Sequence, residues 1–405
     1  MIEMGEESDE REVLVEGQAA RGSSLLLAMV IVLHALNHLV GGALPVLYPE
    51  IMEEFGLSYV QLGLLRSASS FAGGFPQMFV GLLRRWLPGR VLIGLGNIVF
   101  SALNMLAGMV GGFWQFLVLR VLGSIGGSPQ HPVGTSLLTT NSDPSWRGRI
   151  FGLNMAAPTM ASTLSPMVAA WLMVSIGWRT TLSALAVPAL IASVAMILLV
   201  KEQEDAEAGT REFSMGELLG ALRNRNVMAI STLRTVMAFR MGVRAFMPLY
   251  FINVLGFAAG LSSTLYSVMI LGGVVGPFFW GYMSDRMPRK PIVIGILVLQ
   301  CVLYYGLQFA KDVVLLVPVL FLIGFMAQTV VMQSILVDSV DRSQLDPVIG
   351  FYYTLGFTLG SVSSVIFAYI VELMGFNYGF TYIAAVTAVS IVPALFIRET
   401  EAYIL

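Results

Sequence analysis

The stretch "LHALNHLVGG" sets His34, Asn37 and His38 among leucine, valine and alanine. Spaced i, i+3 and i+4, the three fall on one helical face, which Gly41 and Pro45 continue. A small, polar face suits a helix that lines a water-filled path. Histidine changes charge near neutral pH, which makes it a natural proton carrier. The HxxxH spacing also presents two imidazoles to a metal ion, with His131, the chain's other histidine, as a third ligand. No carboxylate or thiolate accompanies them in the apolar runs, and transition-metal sites draw on such ligands, so no resident metal is expected. The plain structural use of His34 and His38 is interhelical hydrogen bonding. His131 precedes Pro132, where a proline kink would free backbone groups for it to bridge.

Arg66, Arg120, Arg234, Arg240 and Arg244 also lie inside apolar runs, whereas the nearest acids, Asp338 and Glu372, stand at run ends. Intramembrane charge is costly and marks substrate or ion paths. Arginine pairs bidentately with carboxylate and phosphate and keeps its charge. The interior therefore reads as an anion pathway. At about 1.5 Å per residue, Arg120 lies roughly 10 Å from the end of its run and Arg240 roughly 20 Å along its own. Arg66 and Arg244 read as arginines that snorkel to the headgroups. Arg240 and Arg244 share a face, while Arg234 points about 120° away, so one straight helix does not aim all three at one cavity. Arg120 and Arg234 are the favoured cavity residues, with Arg240 next; the structural alternative for Arg120 is to lock its own helix. Gln328, Gln333, Tyr352 and Tyr353 offer further hydrogen bonds to a substrate, and packing is their plainer use.

These residues need long apolar helices to hold them. The chain has 405 residues, of which 56% are hydrophobic and 12% charged, with mean hydropathy +0.79. That charge content is about half that of a soluble globular protein. About 20 apolar residues cross a bilayer. Twelve such runs occur: 24–48, 58–83, 90–110, 113–137, 147–172, 176–200, 226–252, 261–283, 290–310, 313–337, 347–372 and 376–397. The expected fold is an all-α integral membrane protein of two six-helix bundles, residues 24–200 and 226–405. A cytoplasmic linker, 201–225, joins them. Residues 1–23, acidic and polar, read as a disordered cytoplasmic tail. With both ends cytoplasmic, most of the 23 lysines and arginines fall on the inner side, as the positive-inside rule requires. One cysteine, Cys301, excludes an internal disulfide, and the net charge of −2 gives no reason to expect nucleic acid.

The halves echo each other. "GLS" opens the second run at Gly56 and the eighth at Gly260; "GLLRRWLPGR" (Gly81 to Arg90) is answered by "GYMSDRMPRK" (Gly281 to Lys290). Parallel repeats of this kind flank a substrate site near the membrane midplane.

On these residues the chain resembles the major facilitator superfamily. Gly281, Asp285, Arg289 and Lys290 match its loop signature, with Pro288 in place of the second glycine and Arg85 in place of the acid in the first copy. "RVLGSIGG" (Arg120 to Gly127) resembles the superfamily's Arg-x-x-x-Gly stretch. "HALNHLVGGALPVLYP", "GLSYVQLGLL" and "SIGGSPQHPVG" are similar to the fosmidomycin-resistance-like efflux branch, with His38 where that branch carries an acid. The resemblance implies a secondary transporter working by alternating access. It is expected to export a small anionic or amphipathic compound, with the proton as candidate coupled ion. Uptake of an organic anion is the alternative, and a metal-ion carrier ranks below both. The carrier is expected as a monomer in the cell membrane, without cofactor or enzymatic activity. In the loops, Asp285 is expected to accept from the helix start near Trp146 and Arg147. Arg286 is expected to pair with Asp338 or Asp341 as a gate.

Overall fold

The computed structural model describes residues 3–84, 86–143, 146–200, 202, 215–341 and 345–399, with side chains of the first helix described from Ser24. Most of the expected linker, and the basic residues Arg85 and Arg342, lie outside this set.

Apolar runs become helices because a backbone in lipid must satisfy its own hydrogen bonds. The first half holds α1 (Glu3–Phe55), α2 (Tyr59–Gly74), α3 (Gln77–Leu83), α4 (Gly89–Ala107), α5 (Phe113–Gly127), α6 (Gln130–Thr140) and α7 (Arg147–Leu199). The second holds α8 (Met215–Ala221), α9 (Arg225–Ala238), α10 (Met247–Leu249), α11 (Ala259–Ser284), α12 (Arg289–Gly306), α13 (Val313–Phe325), α14 (Thr329–Val337), α15 (Leu345–Met374) and α16 (Phe376–Leu395). No strand occurs among the described residues. Eight helical segments are long and apolar enough to cross a membrane. The helical backbone of α1 takes in most of the polar stretch read as disordered from sequence.

Gly177 (φ 72°) divides α7 into two arms, close to the expected boundary between runs 147–172 and 176–200, in a positive-φ conformation that suits glycine. Other runs that read as continuous are broken. The run 58–83 breaks before Gln77, and 113–137 at Ser128 and Pro129. Pro132 makes no kink: it is the third residue of α6, where a missing N–H costs nothing. The run 226–252 stops at Ala238 and continues as a 3₁₀ turn (Met241–Phe246) and a π turn (Tyr250–Val254). Between α13 and α14, the freed carbonyls are caught by side chains: Trp280 Nε1 donates to Phe325 O (2.8 Å) and Gln300 Nε2 to Met326 O (2.5 Å).

The repeat is physical. Positive-φ glycines recur as Gly56 with Gly256, and Gly177 with Gly375. Glu202 accepts from the amides of Gly89 (3.0 Å) and Arg90 (2.7 Å) at the start of α4. Glu399 accepts from Arg289 (3.1 Å) and Lys290 (2.9 Å) at the start of α12. A carboxylate at a helix start meets free N–H groups and the positive dipole end. The first copy adds an ion pair, Arg84 Nη2 to Glu202 at 2.9 Å, both side chains buried. Glu202→Ala leaves that guanidinium buried without its partner. The expected cost is about 3 kcal/mol, seen as a lowered melting temperature in detergent; an unchanged melt would refute the clasp.

Within the first half, α1 packs on α7, and α5 on α2 and α4; in the second, α11 packs on α13, and α12 on α16. The halves meet through α2 with α15, α7 with α11, and α1 with α10. One apolar core joins the second half to Val40–Ile51 of α1, Leu62 and Leu65 of α2, and Phe116 of α5. A separate cluster, including Leu26, Val30, Ile93, Leu137 and Met196, belongs to the first half alone. The halves are thus joined on the side of Gly56 and Gly256, called the far side below; the side of the loops at Leu83–Gly89 and Asp285–Arg289 is called the loop side. On the far side, Asn253 donates to the Tyr59 hydroxyl (3.2 Å) and the Val60 amide to Glu372 (3.3 Å) across the seam.

Candidate functional site

The intramembrane arginines sort by what holds them. Arg240, at the break after α9, is buried and donates to Gln300 Oε1 at 2.6 Å. With its amide turned to satisfy both neighbours, Gln328 accepts from Arg240 Nη2 (2.9 Å) and donates to Met326 O (3.0 Å). Tyr304 lies under the guanidinium. Arg240 and Gln328, expected in the cavity, therefore form a clamp that ties the breaks near residues 240 and 326 together. The helix itself is not straight there, so the 120° argument fails. Arg120 is buried and bonded to Asn104, its structural alternative.

Arg66 and Arg234 differ: each has a buried Nε without a hydrogen-bond partner among the described residues. Arg66 does not snorkel. It lies on α2 beside the hydroxyls of Tyr48 on α1 and Tyr266 on α11, with Arg120 also in electrostatic reach of Tyr48. Tyr266 in turn feels Arg244. Tyr48, Arg66 and Arg120 belong to the first half, Tyr266 and Arg244 to the second, so the group straddles the seam. Arg234 stacks over the Tyr352 ring (5.1 Å) and fills the notch at Gly356, where a Cβ would collide with it. The buried Tyr352 hydroxyl is also unpartnered. Gln333 Nε2 donates to the Tyr353 hydroxyl at 2.7 Å in an exposed position.

All three histidines converge. His34 and His38 on α1 meet His131 on α6 with ring centroids 4.9 to 6.4 Å apart. His34 Nδ1 bonds Asn154 Oδ1 and His38 Nδ1 bonds Ser162 Oγ, each at 3.0 Å, both partners on α7. His131 is exposed, so the cluster is open on one side; it bridges no freed backbone, because the break lies upstream. Asn37 Oδ1 is buried without a partner.

The loop residues do not form the expected gate. Asp338 pairs with Arg289 rather than Arg286. Arg286 lies over the Tyr282 ring at 3.6 Å. Lys290 Nζ donates to Leu395 O (2.7 Å). Asp285 is exposed and caps the end of α11, its amide donating to Gly281 O (3.2 Å). Trp146 is covered by Arg149 (4.4 Å), and the Arg147 side chain lies outside the described residues.

Sequence reasoning missed Tyr48, Tyr266, Asn154 and Ser162, and misplaced Arg66; Arg244 is exposed. For Arg66 a signal existed: it lies eight residues beyond the Ser58 cap of α2, about 12 Å in at 1.5 Å per residue, as deep as Arg120.

Comparison with known proteins follows this geometry. The sequence profile described as Major Facilitator Superfamily matches residues 30–327 and 255–404. A probable L-galactonate transporter of Escherichia coli K12 is 31% identical over 172 residues, 42% of this chain and 38% of that protein. The hexuronate transporter of Bacillus subtilis 168 is 21% identical over 84% of this chain and 86% of its own. The fosmidomycin resistance protein of Escherichia coli K12 is 20% identical over 87% and 88%, a weak indication for the efflux branch. A bacterial homolog of the human lysosomal transporter Spinster, solved inward-facing and occupied, superposes with TM-score 0.74 at 16% identity over 92% of this chain and 95% of that one. The chain is a multi-pass membrane protein that belongs to the major facilitator superfamily, whose members are transporters and not enzymes.

Proposed function

We propose that this protein is a monomeric secondary transporter of a small organic anion, working by alternating access between two six-helix halves with both ends cytoplasmic. The observation that carries this reading is Arg66: a guanidinium at the seam, its Nε buried and unpartnered, beside Tyr48 and Tyr266. A buried donor without a partner costs free energy, and a carboxylate supplies the acceptor at bidentate geometry. Arg234 and Tyr352 offer a second donor pair in the other half. The loop-side cleft admits substrate, and the far-side seam closes over it. The relatives named for L-galactonate and hexuronate support a carboxylate over a hydrophobic drug.

Purified protein in vesicles, offered labelled aldonates, hexuronates and dicarboxylates, is expected to move at least one of them. Three arms impose a pH gradient, a membrane potential, or counter-anion alone. Inside-out and right-side-out populations are assayed apart, so the direction that each gradient drives is read relative to the cytoplasmic face, which separates the expected export from uptake. No movement in any arm of any acid sinks the reading.

A further inference from the structure

The substrate reading leaves the histidine cluster without a use. His34 is 4% exposed. Its Nδ1 faces Asn154 Oδ1, an oxygen that only accepts, so Nδ1 carries the hydrogen and Nε2 the lone pair. That Nε2 is buried and has no partner. It asks for a hydrogen-bond donor or a Lewis acid, not for another acceptor. His38, one turn on, is held in the same manner by Ser162. His131 comes from a different helix and meets both rings. One nitrogen from each residue lies within 4.8 Å of the other two.

We propose that His34, His38 and His131 form a binding site for one divalent transition-metal ion of the zinc class. Imidazole suits Zn²⁺ and its neighbours Co²⁺, Ni²⁺ and Cu²⁺. Zn–N bonds of about 2.0–2.1 Å place tetrahedral ligands about 3.4 Å apart, so the nitrogens close by somewhat over 1 Å, within reach of small side-chain rotations. Asn154 and Ser162 act as the outer partners that orient ligating histidines. Three neutral ligands leave the ion its full charge and an open fourth position. His131 is the exposed member of the three, so that position is on the open side of the cluster, where water or a carboxylate oxygen completes the shell. All three ligands belong to the first half, so the ion does not bridge the seam. The site lies about 15 Å along α1 from Tyr48, and it stands or falls independently of the arginine group.

Tag-free purified protein is titrated with Co²⁺ alone and followed by its visible absorption. One equivalent is expected to give the intense bands of tetrahedral cobalt, which Zn²⁺ then displaces. His34→Ala and His131→Ala abolish the bands; His131 is exposed, so that variant keeps the reading testable should His34→Ala fail to fold. Asn154→Ala weakens binding tenfold to a hundredfold, and Arg66→Leu leaves it unchanged. The proposal is overturned if the native protein shows only the weak spectrum of hydrated cobalt, or if His131→Ala titrates as the native protein does.

Discussion

Arg66→Leu is expected to reduce vesicle transport of the substrate anion by about thirtyfold or more. Removing one partner of a desolvated charge pair costs about 2–5 kcal/mol, and 1.4 kcal/mol is a factor of ten. Arg66→Lys keeps the charge and loses the planar fork, so it falls between. The melting temperature is the control. The guanidinium of Arg66 is held by the Tyr48 hydroxyl while its buried Nε bonds to no described residue, so Arg66→Leu lowers the melting temperature only slightly. Arg240→Leu lowers it more: it strands the Gln300 oxygen that now accepts at 2.6 Å. Transport by Arg66→Leu within threefold of native would remove Arg66 from the site.

Gly63→Leu is expected to abolish net transport while substrate binding persists. Gly63 sits where α2 crosses α15, and a Cβ there falls 2.6 Å from the Ala368 Cβ and 2.8 Å from the Ser364 carbonyl oxygen. Backbone does not yield as a flexible side chain does. A leucine wedges the far-side seam apart, holding the protein in the state opposite to the one described here. Small residues serve this purpose in membrane helices because they let backbones approach. Single-turnover binding of the labelled anion with no accumulation would meet the expectation; full accumulation would show that the two halves never need that contact.

The sequence made the helical class and the duplication legible, because apolar run length and repeated loop residues report on lipid and on topology directly. It made the histidine face legible too, since spacing fixes which side chains share a face. It did not show that His131 would reach them, because that depends on where the run 113–137 breaks. Pro132 was the visible proline, yet Pro129 marks the break. Arg66 lies as deep in its run as Arg120 does, about 12 Å at 1.5 Å per residue from the Ser58 cap, so its place away from the headgroups was legible from depth. The partners of Arg240 were hidden for a different reason. Gln300 and Gln328 lie 60 and 88 residues away in sequence, and only packing brings them together. The expected Arg286–Asp338 gate failed because Arg289 is the nearer cation to Asp338 and Arg286 has an aromatic ring to cover.

Glu202 and Glu399 bear on biogenesis as well. Each stands just beyond the last long helix of its half and grips the start of that half's third apolar run. The first half therefore carries every partner of its own clasp before any residue of the second has been synthesised. A nascent chain that has emerged as far as Glu202 is equipped to shut its first half in the bilayer, with Arg84 already neutralised. The second half then completes against a finished template, and its own clasp waits for Glu399.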